Sequence, residues 1–441
     1  MRFSFVLILF AGATAVPCFG QMFAAVGEVP PGLPSAPVPQ VPQNASDSSS
    51  STATGLTIEQ ALRLGEQNSP ILKEGAASVS HAEAGIQSAR AYTNPTFEFL
   101  AGHQSARPIV TPGVPGALLH YSAGQTIEMP TERRSRMRVS RLDLRVSQLQ
   151  LASIRLSVIA DVKRAFYNVL RRKQELEQAK DNLALVEDLR RRVQMEVQVG
   201  EKGKLELTRA EAELSRARSA VRSADIELAN ARALLKAAIG SSSSETFDAE
   251  GSLNDTVQIQ QLDDIRRRVL ESHPALAQAN AQTARAEAVV RHEQARRIPE
   301  PTAFGEYEQQ PDITFYRFGV NIAIPLWDRR KGPIAEARAD AEISEAAARQ
   351  RRLEIMAALE RAYDQYEISN EQVESLQGGS LREAEAAVDA ARAAYKFGER
   401  GIVEVLDAQR VLQGVRGDLL DALFARRSAL IDLEELGATQ Q

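Results

Sequence analysis

The chain has 441 residues, a formal net charge of -5 and a single cysteine, and only 5% of its residues are aromatic. Because 58 Asp and Glu outnumber 53 Lys and Arg, it lacks the basic excess typical of proteins that bind nucleic acid. One cysteine excludes a disulfide framework and cysteine-rich metal sites. The length alone predicts about three average domains. The low aromatic content instead favours close-packed helices rich in Ala, Leu and Val.

The N-terminus has the pattern of a secretory signal peptide over residues 1–20. Arg2 precedes an apolar run that is too short to span a membrane as a helix, and small residues follow it. We expect cleavage after Gly20, and the alternative of a buried N-terminal helix is disfavoured. Cys18 is a possible lipidation site, but Pro17 stands where a lipidation signal needs a small residue.

Residues 21–55 form a Pro- and Ser-rich tail or linker without apolar periodicity, which predicts a solvated segment. Beyond it the sequence has no run of about 18 apolar residues, so no transmembrane helix is predicted in the mature chain. An exported soluble protein and an outer-membrane β-barrel both remain open, because barrel strands give a much weaker signal per segment.

Two halves of the chain, residues 56–240 and 261–437, show the same order of signals. In each, a short amphipathic helix ends near a proline, a second helix follows, and prolines enclose a strand region before long helices begin. A glycine turn interrupts the long helices of each half. The matched marks are Pro70 and Pro274, Pro95 and Pro301, Pro130 and Pro325, and Gly200 and Gly398. This order predicts an internal duplication joined by a linker over residues 241–260.

Each half ends in a predicted long antiparallel helical hairpin, over about 135–238 in the first half and about 332–435 in the second. Apolar residues spaced by three or four favour coiled-coil packing. Glycines that tolerate left-handed conformations mark the turns; these are Gly200, Gly203, Gly398 and Gly401. Gly378 and Gly379 lie inside the second long helix, where we expect them to bend or loosen it.

The strand regions, about 95–130 and 301–325, alternate apolar and polar residues with a period of two. Each strand is about ten residues long, the length that a tilted membrane strand needs. Four strands per chain cannot close a transmembrane barrel, because small barrels use eight. Either several chains therefore share one barrel, or the strands form a small soluble cap on a coiled coil.

Residues 395–412, YKFGERGIVEVLDAQRVL, resemble the second periplasmic turn of the TolC family of outer-membrane efflux proteins, Y-x-x-G-x-x-[ST]-x-x-D-v-L-D-A-x-x-x-L. The resemblance extends over about residues 56–437. It implies a mainly α fold with a small β part, in which the hairpins form a periplasmic α-barrel. Three copies would contribute four strands each to a twelve-stranded transmembrane β-barrel, and residues 241–260 would belong to an equatorial belt.

The function implied by the resemblance is that of a passive exit duct for small toxic compounds, either metal ions or drugs. The implied location is the outer membrane, with a periplasmic helical part, and no cofactor is expected. The implied partners are a homotrimer, outer-membrane lipid, a periplasmic adaptor protein and an inner-membrane pump of the resistance–nodulation–division type. No nucleic acid is expected as a partner.

The resemblance also assigns a gate at the hairpin turns. It places acidic rings that narrow the tunnel at Glu404 and Asp407, where helix dipoles favour carboxylates. It places polar links between the two hairpins at Tyr395, Arg400 and Glu206. We therefore predict a hydrogen bond from Tyr395 to Glu206, and a contact from Arg400 near Leu205 or Asp407.

Other functions have weaker support in the sequence. The five histidines form no spaced metal motif, and the sequence lacks P-loop, dinucleotide-binding and nucleophile-elbow motifs, so an enzyme is not expected. A periplasmic adaptor should carry one hairpin flanked by a split lipoyl domain, whereas this chain has two hairpins. That class and a coiled-coil scaffold of the cell envelope remain the alternatives.

Overall fold

The computed structural model describes residues 54–105, 115–242, 247–254 and 259–437. The predicted signal peptide, Cys18 and most of the predicted tail lie outside these residues. Within these ranges, no helix combines the length and the apolar composition needed to cross a bilayer.

The first repeat contains a short strand, two short helices, two longer strands and a helical hairpin, in that order. In chain order these are β1 (Thr54–Leu56), α1 (Ile58–Asn68), α2 (Pro70–Arg90), β2 (Thr96–Gln104), β3 (Gly116–Thr126), α3 (Pro130–Gln198) and α4 (Lys204–Ala238).

The second half of the chain shows the same order of elements, with its first strand inside the predicted linker over 241–260. Its elements are β4 (Phe247–Ala249), α5 (Leu262–Ser272), α6 (Pro274–Ala295), β5 (Pro301–Gln309), β6 (Thr314–Ile322), α7 (Lys331–Ser375), a π-helix (Leu376–Ser380), α8 (Leu381–Lys396) and α9 (Ile402–Glu435). The first strands of the two repeats, β1 and β4, pair in parallel. The predicted linker over 241–260 thus contributes a strand that ties the repeats together.

Helix α3 is 69 residues long, or about 100 Å at 1.5 Å per residue. It begins five residues before the predicted start. The reason is that Pro130 occupies the first helical turn, where a missing backbone N–H costs no hydrogen bond. Proline begins α2 and α6 in the same way. Of the prolines that the sequence marked as boundaries, Pro70, Pro130 and Pro274 are therefore the first residues of helices, whereas Pro301 begins β5.

The second long helix is interrupted where Gly378 and Gly379 were expected to loosen it. Both glycines lie in the π-helix between α7 and α8, and no atom of the described residues outside the adjoining helix backbone lies within 4 Å of a Cβ built on either one. Leu376 and Leu381 are five residues apart, yet both pack against buried apolar clusters. The wider π turn keeps this spacing on the packed side of the helix.

His273 joins the end of α9 to the start of α6. Its side chain is buried, and its Nδ1 accepts a hydrogen bond from the backbone N–H of Ala275 at 3.1 Å. The ring also hydrogen-bonds the backbone of Glu435, at the last residue of α9. Burial, together with the nearby charge of Arg351, lowers the pKa of His273 below its ordinary value. The neutral imidazole therefore links two helices that meet end to end.

The four long strands form one antiparallel sheet in the order β2-β3-β5-β6. One face is apolar and largely exposed, and a row of rings crosses all four strands on it. The row consists of Phe99, Tyr121, Tyr307 and Tyr316, with successive centroids 4.9, 6.0 and 5.2 Å apart. The opposite face carries charge, including Arg317, whose Nε lies 2.9 Å from Oε2 of Glu306. In the described chain, β2 and β6 each have one unpaired edge.

Candidate functional site at the hairpin tips

Both hairpin turns have the same backbone geometry. Gly200 and Gly398 follow the ends of their helices with φ of +81° and +72°. The next residue in each turn, Glu201 or Glu399, donates its N–H to a carbonyl five residues back at 2.9 Å, as in a Schellman cap. Beyond the adjacent residues, no atom of the described chain lies within 4 Å of a Cβ built on either glycine, so the left-handed backbone, and not lack of space, requires glycine here.

The other two predicted turn glycines have a different role. Gly203 and Gly401 are the N-cap residues of α4 and α9, in extended conformation and without a side-chain cap. Their φ values of -80° and -84° are open to any residue. Only one glycine in each turn is therefore required by the backbone.

The tips of the two hairpins pack against each other through a small apolar cluster. Its buried members come from α3, α4 and α9, and Tyr395 of α8 packs against it. The buried members are Leu189, Val193, Ala210, Ile402, Val405 and Leu406. This cluster holds the polar groups of both turns within hydrogen-bonding reach.

The Tyr395 hydroxyl donates a hydrogen bond of 2.6 Å to Oε2 of Glu196, in the last turn of α3. The prediction that Glu206 accepts the hydrogen bond of Tyr395 was therefore wrong. Oε1 of Glu206 is 3.3 Å from Arg209, and its Oε2 is buried without a hydrogen-bond partner in the described chain. Tyr395 and Glu196 face each other because both lie in the last turns of helices that end at the same level.

The surroundings keep the Tyr395 phenol protonated. Burial raises the pKa of Tyr395 well above its ordinary value, and the carboxylates of Glu196 and then Glu206 raise it further. Lys202 lies 5.8 Å from the ring centroid. The hydroxyl therefore remains a donor to Glu196 over the whole physiological pH range.

Arg400 has no ion pair or side-chain hydrogen bond among the residues that the structure describes. Its predicted contact near Leu205 or Asp407 is not formed in the single chain. Asp407 instead pairs with Arg410 at 3.2 Å, and Arg410 also reaches Glu213 of α4 at 3.0 Å. Arg410 thus makes a second polar link between the hairpins, which the sequence analysis missed.

The proposed constriction residues lie on an open surface of α9. Glu404 is in its first turn and Asp407 is three residues further on, so both side chains lie on one side of the helix. Both residues are exposed, and Glu404 has no ion-pair partner in the described chain. The described residues contain no group of three His, Cys, Asp or Glu side chains that could hold a metal ion.

Comparison with known proteins places this geometry in a family. The family model described as "Outer membrane efflux protein" matches residues 43–241 and 265–438. The cobalt-zinc-cadmium resistance protein CzcC of Cupriavidus metallidurans is 26% identical over 385 residues, or 86% of this chain and 90% of that protein. The nickel-cobalt-cadmium resistance protein NccC of Alcaligenes xylosoxydans xylosoxydans is 26% identical over 287 residues, or 65% of this chain and 63% of that protein.

Solved structures share the fold at low sequence identity. CusC has a TM-score of 0.74 at 19% identity, covering 86% of this chain and 91% of that chain. The Campylobacter jejuni outer membrane channel CmeC has a TM-score of 0.75 at 15% identity, covering 86% and 85%. Since the family model matches both repeats and nearly all described residues, this chain belongs to the outer membrane efflux protein family.

Proposed function

We propose that the protein is the outer-membrane exit duct of a tripartite efflux system and conducts its cargo without chemistry. The observation that carries this proposal is a sheet with one apolar face and two open edges, continuous with two long helical hairpins. An apolar exposed sheet with free edges is not stable in water or in lipid by itself. The chain therefore needs further copies to complete it.

The edges indicate how copies would join. β2 runs away from the helices and β6 returns toward them, so β2 of one copy pairs antiparallel with β6 of the next. Any number of copies gives an even number of strands, as bacterial barrels have. Three copies, as the family resemblance implies, would close a twelve-stranded barrel with the ring of aromatic rows toward lipid.

The partners implied by the family resemblance would meet the protein at its hairpin tips. The hairpin tips lie at the end of the chain opposite the sheet, where a periplasmic adaptor and an inner-membrane pump of the resistance–nodulation–division type would deliver cargo. Metal cations are the favoured cargo, since CzcC and NccC are named for resistance to cobalt, zinc, nickel and cadmium. Acidic rings from Glu404 and Asp407 would favour cations in transit.

The gate would be held closed by links between the hairpins. The Tyr395–Glu196 hydrogen bond and the Arg410–Glu213 ion pair both connect the second hairpin to the first. The Arg400 side chain has no partner among the described residues, so its proposed role as a gate link requires a group on a neighbouring copy.

The test combines fractionation with conductance. We expect the full-length protein to partition with the outer membrane as a heat-modifiable trimer and to form cation-selective channels in planar bilayers. The double substitution Glu404→Gln with Asp407→Asn should reduce cation selectivity without loss of the trimer. If the protein instead stays in the soluble periplasmic fraction, it would fit an adaptor or a coiled-coil scaffold. That result would overturn the proposal that it is an exit duct.

A further inference from the structure

The first turns of α3 carry a one-sided set of arginines, Arg134, Arg138, Arg141 and Arg145, which we term the arginine face. Their spacing of four, three and four residues places them on one side of the helix. All four are exposed. Across the described ranges, none of their guanidinium groups has an ion pair or a hydrogen bond.

Neighbouring charges on α3 are all paired, which sets the arginine face apart. Glu128, just before the helix, binds Arg136, while Glu132 lies 3.6 Å from Arg296 and Asp143 binds Arg285. Like charges four residues apart repel each other and weaken a helix. A helix with this pattern gains stability when an external anion neutralises the arginines.

The direction of the arginine face follows from the seven-residue repeat of the coiled coil. Residues separated by multiples of seven stay on the same side of a helix that supercoils around its neighbours. Arg134 and Arg141 therefore share a side with Arg155, which lies 3.3 Å from Glu66 of α1. Arg138 and Arg145 share a side with Lys173, which lies 3.1 Å from Asp248 of β4.

The arginine face thus continues the side of α3 that carries α1 and β4. In a ring of copies around a duct, the layer formed by α1 and β4 must lie on the outer surface of the ring, because on the inner surface it would fill the passage. The arginines consequently point away from the duct. They do not form part of the conduction path.

The distance of the arginine face from the sheet follows from its position along α3. α3 begins four residues after β3 ends, and Arg134 to Arg145 span about 17 Å at 1.5 Å per residue. At this end of the sheet, Ile324 and Leu326 extend its apolar face and Trp327 is 94% exposed. Exposed aromatic rings of this kind mark the boundary between membrane and water.

The turn that bears Trp327 lies beside the start of α3. Arg330, three residues after it, binds Glu293 of α6, which lies 3.3 Å from Arg296. Arg296 in turn reaches Glu132 of α3. Membrane headgroup layers are about 5–8 Å thick. Arg134 and Arg138 would lie at that layer. Arg141 and Arg145 lie about 4.5 and 10.5 Å further along the helix, comparable to the Debye length of about 8 Å at physiological salt.

From this juxtaposition we infer that the arginine face binds the phosphate groups of anionic phospholipids in the periplasmic leaflet of the membrane. Guanidinium groups bind phosphate oxygens in a bidentate manner, and a row of four can hold several headgroups around each copy. This inference rests on the proposed insertion of the sheet into a membrane. It adds a lipid-specific docking surface to the duct.

The test uses full-length protein in nanodiscs of phosphatidylethanolamine with or without phosphatidylglycerol. Retained phosphatidylglycerol is counted by native mass spectrometry across a titration. An arginine near a membrane surface contributes about 1 kcal/mol of attraction, so each Arg→Gln change at Arg134 or Arg138 should weaken phosphatidylglycerol affinity about fivefold. The quadruple Arg→Lys variant keeps the charge but loses the bidentate contacts, so its affinity should lie between those of the wild type and the quadruple Gln variant.

The matched control replaces four exposed arginines elsewhere, Arg216, Arg222, Arg349 and Arg352, with Gln and should leave lipid retention unchanged. Wild-type retention in a quadruple Gln variant that still forms trimers in nanodiscs would overturn the inference. So would a change in ion selectivity without a change in lipid retention, because it would place the arginines in the duct. Failure of the wild-type protein to enter nanodiscs would instead refute the proposed duct itself.

Discussion

The Tyr395→Phe substitution removes one hydroxyl and leaves the ring that packs on the tip cluster. It therefore isolates the hydrogen bond to Glu196, which is 2.6 Å long and partly buried. A hydrogen bond to a charged group contributes about 1.5–3 kcal/mol, and partial exposure favours the lower end. If the bond forms only when the tips are closed, its loss shifts the ratio of open to closed states about tenfold per chain.

The measurement is single-channel conductance and open probability in planar bilayers, for Tyr395→Phe, Glu196→Ala and the double variant. Because both substitutions remove the same bond, we expect the double variant to open no more readily than either single variant. Glu196→Gln keeps a neutral acceptor and should have an intermediate effect. Glu206→Gln is the control, since Glu206 does not accept this bond.

Two results would refute the reasoning. One is an unchanged open probability in Tyr395→Phe, provided that the trimer is intact. The other is an additive effect of Tyr395→Phe and Glu196→Ala combined with coupling between Tyr395→Phe and Glu206→Gln. That pattern would identify Glu206 as the hydrogen-bond partner of Tyr395, as predicted from the sequence.

Four further predictions concern stability and are read from thermal unfolding of the purified full-length protein. Gly398→Ala should lower the unfolding temperature, because a left-handed conformation costs a residue with a Cβ about 1–2 kcal/mol. Gly203→Asp should raise it slightly, since it supplies the missing N-cap acceptor for a gain of a few tenths of a kcal/mol. Gly378→Ala should stabilise by up to about 1 kcal/mol, because no neighbour obstructs the methyl group. Burial lowers the pKa of His273, so the unfolded chain binds its proton more tightly and stability should fall as pH drops below about 6.5. His273→Asn keeps an N-cap acceptor and should weaken that pH dependence, leaving the part due to His292, whose pKa burial also lowers. An unchanged pH profile would contradict this prediction.

The sequence was sufficient to predict the long helices and the four long strands in their order, but not the short strands β1 and β4. Proline and glycine marks fix where helices begin and turn, and the two-residue alternation fixes strands, because both are local properties of the chain. The expected weak point at Gly378 and Gly379 appeared as a π-helix, although its exact form depends on Leu376 and Leu381 packing on separate clusters.

The links between hairpins were less accessible from sequence. Tyr395 was identified, yet its partner Glu196 and the second linking residue, Arg410, were not. Which side chains meet across two hairpins depends on the relative height and rotation of their helices, and these are set by tertiary packing. Matching a residue to a family motif identifies the helix on which it lies, but it does not identify the side chain with which it forms a hydrogen bond.

Equivalent acidic residues of the two repeats have different surroundings at the hairpin tips. Glu206 and Glu404 are 198 residues apart and both lie in the first turn after a glycine turn. Glu206 is partly buried beside Arg209, and it contributes negative potential to Tyr395. Glu404 is exposed and unpaired in the described chain, free to face a passage. The proposed constriction charge therefore belongs to the second repeat alone, while Glu196 and Glu213 of the first repeat accept the bonds that hold it in place.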